Sequence, residues 1–399
     1  MKKILIVMPS LFIGGAERSL LGLLESFDYT KVEVSLFLYR HEGEFLKYIP
    51  AQVRLLPELP QYRTFDVPIK SLLFSTKAVF GAARVLSKVA MRLHCMFSHE
   101  KSGVWMPMQY ISKYLQPLLP QIPGSYDLGI MFLGVADTLL NKVDAKVKMA
   151  WCHTDYDSLY PNKKMDAEVY EKIDYIVNVS DACTDIFKKF YPQFRDKAIT
   201  IENILAKRMI LKEADAQIED ASFDRWPVLL SIGRFNEIKN FHNIPYFCRY
   251  LHEHGIPAHW YIIGYGADEA RIREAIAAEH MEGHVSILGK KDNPYPYIKQ
   301  CDLYVQPSLL EGKCVTVREA QMLGKPVVIT RYATSGSQLE EGVDGVIVPM
   351  DNEGCAAGIA ALLRDPQKLV QLSNACKKRD YSNAGETEKL YQLMEASYA

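Results

Sequence analysis

Glu311 and Glu319 have seven residues between them in the segment Ser308–Ala320, which reads Ser-Leu-Leu-Glu-Gly-Lys-Cys-Val-Thr-Val-Arg-Glu-Ala. Gly312 permits close backbone approach, and Lys313 to Val315 would open a helix whose first N–H groups attract an anion. Carboxylates bracketing such a site suit the hydroxyls of a ribose or hexose better than a phosphate. The segment therefore reads as a phosphate site flanked by sugars. An ordinary strand–loop–helix junction with two solvated glutamates explains the same residues equally well. Upstream, Gly233-Arg234 is followed by Lys239-Asn240. Arginine offers a rigid fork for phosphate oxygens and lysine a point charge, so with the helix start at Cys314 the pair suggests a diphosphate clamp. His153 ends an apolar run in Ala150-Trp151-Cys152-His153; a lone histidine is more often structural than chemical. Asp155-Tyr156-Asp157 could hold Mg²⁺ or Mn²⁺ through paired carboxylates. Such triplets are common by chance, and Arg234, Lys239 and a helix N-terminus already neutralise a diphosphate, so no metal is expected. Gly264-Tyr265-Gly266 lacks the third glycine of a dinucleotide fingerprint and asks for no redox cofactor.

These residues need a frame of short buried strands. Near-continuous apolar runs predict strands at 3–8, 32–38, 53–56, 128–132, 147–152, 175–179 and 198–201, buried on both faces as in a parallel sheet covered by helices. A second series follows at 228–232, 258–263, 285–288, 303–306, 326–329 and 345–348, with helices between its strands. That is an α/β chain with two βαβ series. The charged stretch Lys207–Trp226 reads as the linker, giving domains 1–206 and 207–380. Residues 381–399 read as a last helix whose docking site stays open, the first domain among the choices. Ligands of open α/β sheets bind beyond the carboxyl ends of strands, where His153, Arg234, Gly264 and Glu311 all fall.

Composition narrows the class. Of 399 residues, 48% are hydrophobic and 24% charged, which excludes wholesale disorder. Lys plus Arg total 47 against 48 acids, so nothing pulls the whole protein toward nucleic acid. Eight cysteines are scattered singly, without zinc-ligand spacing, and read as reduced thiols in a cytosolic protein. Met1-Lys2-Lys3 before Ile4–Met8 resembles a leader, but Pro9 and Gly14-Gly15 break the run, and a strand, glycine loop and helix explain it better. No apolar run is long enough to span a bilayer. One region departs from the pattern. From Ile69 to His99 there is no acid, while Lys70, Lys77, Arg84, Lys88 and Arg92 recur along one side of an expected helix. A basic amphipathic helix suits an anionic membrane surface; a solvated basic face is the plainer reading.

Gly233-Arg234, Lys239-Asn240, Ile262-Ile263-Gly264-Tyr265-Gly266, Cys301-Asp302, the Glu311-to-Glu319 block and Gly324-Lys325-Pro326 together resemble the donor domain of retaining GT-B glycosyltransferases, glycosyltransferase family 4. Gly14-Gly15-Ala16-Glu17 is similar to that family's amino-terminal loop. The resemblance implies a GT-B fold, two Rossmann-like domains facing each other across a cleft, and transfer of a hexose-type sugar from a nucleotide-diphosphate sugar, UDP-linked first and GDP-linked next. The acceptor implied is a glycan or lipid-linked hydroxyl in surface or capsular polysaccharide synthesis, at the cytoplasmic face of a membrane. Arg234, Lys239 and the amides of Cys314 and Val315 would bind the diphosphate, and Glu319 the ribose. Glu311 would contact the transferred sugar, Gly15, Gly264 and Gly312 would line the donor site, and His153 would touch the sugar or the departing oxygen. Lys313 and Cys314 replace the commoner aromatic and second glycine of the block, which alters the sugar pocket. No cofactor, metal or nucleic acid is implied. The alternative is a non-catalytic GT-B partner subunit that binds sugar nucleotide or glycan; loss of Arg234, Lys239, Glu311 or Glu319 would favour it, and all four are present.

Overall fold

The apolar run Ile4–Met8 forms the inner part of the first strand, β1 (Lys2–Met8), with all five side chains buried. The computed structural model describes residues 1–154, 156–221, 223 and 227–396. They form two compact units, Met1–Ile204 joined by the C-terminal segment from Ala384, and Leu205–Asn383.

In the first unit β1 is followed by α1 (Gly15–Ser26), β2 (Val32–Leu38), β3 (Arg54–Leu55), α2 (Ile69–Leu73), α3 (Ala78–Ser98) and α4 (Trp105–Leu115). Then come β4 (Ser125–Met131), α5 (Asp137–Lys142), β5 (Asp144–Cys152), α6 (Lys163–Tyr170), β6 (Tyr175–Asn178), α7 (Asp181–Phe190) and β7 (Ala198–Thr200). The seven strands lie in the order β3-β2-β1-β4-β5-β6-β7, all parallel. The order turns at β1 and β4, where Ile4 pairs with Val34 on one side and Leu128 on the other.

The second unit runs α8 (Lys207–Glu213), β8 (Val228–Arg234), α9 (Ile244–Glu253), β9 (His259–Tyr265), α10 (Glu269–Ala278), β10 (Val285–Gly289) and α11 (Tyr295–Gln300). It continues through β11 (Leu303–Gln306), α12 (Val315–Met322), β12 (Val327–Thr330), α13 (Ser335–Gln338), β13 (Val346–Val348), α14 (Asn352–Leu363) and α15 (Pro366–Lys378). Its parallel sheet has the order β10-β9-β8-β11-β12-β13, with the switch point between β8 and β11. Both sheets are thus Rossmann-like, and each places a crevice at its switch point.

Local sequence explains the boundaries. Ser180 caps α7 by accepting from the Cys183 amide, and Asp365 caps α15 from Lys368 with Pro366 opening the helix. Each such cap is worth about 1 kcal/mol. In the second core Trp260 is fully buried, and its indole N–H donates to Ser231 Oγ at 3.0 Å, so the large ring leaves no orphan donor.

Two expectations are revised. The stretch read as a linker contains α8, which belongs to the second unit. Ile69–His99 is two helices rather than one, and not all of its basic residues face solvent: Arg84 turns inward, donating to the carbonyls of Thr64 (3.1 Å) and Val67. The last helix, α16 (Thr387–Ala396), lies on the first unit. There the Asp28 amide donates to Tyr391 Oη at 2.9 Å, and Leu390 and Met394 are buried.

Candidate functional site

In the second unit three loops meet at the switch point. The Leu309 amide, just beyond β11, donates to the Ile238 carbonyl beyond β8 at 2.7 Å. From the loop beyond β12, the Thr334 hydroxyl donates to the Glu311 carbonyl at 2.6 Å, and Lys313 Nζ donates to the Ser337 carbonyl at 2.6 Å. Lys239 runs its stem over Gly233 and brings Nζ to 2.5 Å from Glu311 Oε1. Ser308 Oγ donates to that same oxygen at 2.6 Å, and no described residue bonds Glu311 Oε2. Burial opposes the Lys239 charge, but the Glu311 carboxylate outweighs it and the ammonium's pKa is raised. The exposed Arg234 lies near enough to oppose that charge, so two cations converge here. Gly264 explains how close β8 and β9 come. Its φ is +155°, and a Cβ there would stand 1.8 Å from the Gly233 carbonyl oxygen, so only glycine fits.

Arg234, Lys239, Glu311, Gly312 and Cys314 are therefore gathered in one place, with two differences from expectation. The helix α12 opens at Val315, not Lys313, with Cys314 as its cap. The Cys314 amide donates to Gln338 Oε1 at 2.6 Å, while Gln338 Nε2 donates back to the Cys314 carbonyl at 3.2 Å. One helix-start donor expected to face an anion is thus occupied by Gln338 of α13. Glu319 is fully buried, and Tyr295 Oη donates to its Oε1 at 3.1 Å. A ribose reaches this carboxylate only if Tyr295 yields or shares it. Gln338, Ser308 and Tyr295 carry no local signal: their partners lie three to twenty-four residues away, and only the fold joins them.

In the first unit Gly15 opens α1 beyond β1, and His153 follows β5. The His153 ring is tied down: Nε2 lies 2.8 Å from the Phe132 carbonyl, which fixes that nitrogen as the donor and Nδ1 as the acceptor. Burial holds the imidazole down to about 4, so it is neutral at physiological pH. Asn203 stands beside the ring and also accepts from Ser19 on α1 at 2.8 Å. The segment after His153 is anchored by Tyr156, whose hydroxyl donates to Asp166 Oδ2. Asp166 also accepts from Tyr191 (3.0 Å), Trp105 (3.3 Å) and Gln109 (2.5 Å), joining α4, α6 and the C-cap of α7 through one buried carboxylate. Asp155, and the side chain of Asp157, lie outside the described residues.

Residues 214–379 match the profile of the family described as Glycosyl transferases group 1. Over 143 residues the chain is 33% identical to an amylovoran biosynthesis glycosyltransferase of Erwinia amylovora, 34% of each chain. Over 180 residues it is 29% identical to a putative colanic acid biosynthesis glycosyltransferase of Salmonella typhimurium, 42% of this chain and 44% of that one. The matched stretches thus span about a third to under a half of these relatives' own lengths. Among solved structures, the Anabaena protein HepE in complex with UDP and glucose superposes with a TM-score of 0.69 at 15% identity, covering 99% of this chain and all of the other. A sucrose-phosphate synthase of Thermosynechococcus elongatus gives 0.66 at 14% identity over 100% of both chains. The likeness to these structures is one of fold, that of GT-B glycosyltransferases, and within the second unit residues 214–379 resemble the glycosyl transferases group 1 family.

Proposed function

We propose that the protein is a retaining glycosyltransferase that moves a hexose-type sugar from a nucleotide-diphosphate sugar, UDP-linked first, to a hydroxyl of a glycan or lipid-linked acceptor. The observation that carries this is the convergence of Arg234, Lys239 and Glu311 at the switch point of a sheet whose sequence matches the group 1 family profile. Lys239 and Arg234 bind the diphosphate, and the free Oε2 of Glu311 accepts from a hydroxyl of the transferred sugar. In the reaction the anomeric C–O bond breaks and its electron pair leaves on the nucleoside diphosphate. The acceptor hydroxyl oxygen bonds the same carbon on the same face, and its proton passes to the leaving phosphate. The protein's part is preorganised charge around the departing diphosphate, without a protein nucleophile or a required metal. His153, neutral, buried and held by Phe132, acts as a positioning group beside the sugar and not as an acid. Relatives named for amylovoran, colanic acid and lipopolysaccharide core support a role in surface polysaccharide synthesis. No disulfide links the eight cysteines, which supports a reducing, cytoplasmic compartment.

Thermal-shift screening of sugar nucleotides, followed by transfer to simple glycosides in EDTA, tests the reading. Stabilisation by one nucleotide sugar and a product of retained anomeric configuration by NMR are the expected results. Binding without hydrolysis or transfer would make the protein a non-catalytic sugar-nucleotide binder, and loss of activity in EDTA with rescue by Mn²⁺ would add a metal to the mechanism.

A further inference from the structure

Helix α3 turns its large apolar residues outward. Its buried positions are small, Gly81, Ala83 and Ser87, and a Cβ at Gly81 would press on Leu73 of α2. Val79, Leu86, Val89, Leu93, Met96 and Phe97 are exposed. At about 100° per residue these six fall within a sector of roughly 100°, one continuous stripe along the outer face. Phe74, 90% exposed, precedes the helix in the chain, and Val104, 77% exposed, follows it. Among the described residues no helix is long and apolar enough to cross a membrane. An apolar surface of this extent marks an interaction site.

Charge selects the occupant. Lys88 and Arg92 are exposed along one margin of the stripe, Lys70 is exposed on α2, and the next acid, Glu100, lies beyond the end of α3 with its carboxylate 2.9 Å from His94 Nε2. Across Ile69–His99 there is no carboxylate to repel an anion. A two-fold contact between copies of this chain would set these cations near their own symmetry mates, which disfavours self-association. We propose that the outer face of α2 and α3 docks on an anionic lipid bilayer. Phe74, Leu86, Leu93 and Phe97 enter the headgroup–acyl boundary, while Lys88 and Arg92 meet lipid phosphates. Arg84 takes no part, since it is spent on the Thr64 and Val67 carbonyls.

Co-sedimentation of the full chain with phosphatidylcholine vesicles, with and without phosphatidylglycerol, tests this. The protein pellets with the anionic vesicles at low salt and is released at high salt. Lys88→Glu with Arg92→Glu lowers partitioning at least about tenfold, and so does Leu86→Asp with Phe97→Asp. Both pairs lie on the exposed surface, and circular dichroism checks that both variants fold. Nucleotide titration of the same samples separates this test from that of the donor site, because binding there is unchanged. Three results overturn the proposal: no pelleting of wild type with anionic vesicles at low salt; pelleting of both variants equal to that of wild type; or a wild-type dimer that Leu86→Asp with Phe97→Asp dissociates, which would assign the stripe to a second copy.

Discussion

Burial and the adjacent Glu311 carboxylate push the Cys314 thiol up to about 11, so it keeps its proton at neutral pH and is no nucleophile. Its sulfur lies 3.2 Å from Thr316 Oγ1, inside the wall of the site. Cys314→Ala is therefore expected to keep turnover within about threefold and to cost about 1 kcal/mol of stability for the lost sulfur packing. A hundredfold loss of turnover in a folded variant would give the thiol a chemical role. The cations and carboxylates of this site are legible in the sequence because their types and spacing are themselves the chemistry. The hydrogen bonds that set them are not. Gln338 reaches Cys314 across twenty-four residues, and Glu319 looks solvated in the sequence but is sealed under Tyr295. Burial depends on what packs above a side chain, and no local pattern records it.

At the scale of elements, Asp166 fastens α4, α6 and α7 to the segment that follows His153. Desolvation by burial raises its pKa to about 6, against the lowering effect of Tyr156, Tyr191, Trp105 and Gln109. The folded pKa lies above the unfolded one, so between about pH 4 and 6 the unfolded chain gives up this proton while the folded chain keeps it. Stability from this group is full below that window and lost across it as pH rises, by roughly 3 kcal/mol at about 1.4 kcal/mol per unit. Asp137, pushed up to about 7 by burial, acts with the same sign. Urea unfolding of wild type and Asp166→Asn at pH 4, 5, 6 and 7 reads this directly. The variant gains on wild type through the window, and a constant difference at every pH would contradict the ionisation. The strands are legible because strands buried on both faces leave unbroken apolar runs. The orientation of α3 is not, since periodicity shows that one face is apolar but not which face docks. Gly81, Ala83 and Ser87 form a close-packing face that looks weak in a hydrophobic pattern.

At the scale of the whole molecule, the family match covers residues 214–379, while the first unit carries Gly15 and His153, the two candidate donor-site residues outside that match. The second unit's βαβ alternation is plain in sequence. The return of α16 to the first unit is not, because Leu390 and Met394 fit any apolar surface equally well. The central proposal is the diphosphate clamp of the second unit, and calorimetric titration of UDP, with GDP in parallel, tests it most directly. Wild type binds one of the two. Arg234→Ala and Lys239→Ala each bind it roughly ten- to a hundredfold more weakly, about 1.5–3 kcal/mol for a charge-assisted contact. The corresponding nucleoside, which lacks the diphosphate, binds wild type and variants alike. Equal nucleotide affinities in wild type and both variants would contradict the clamp.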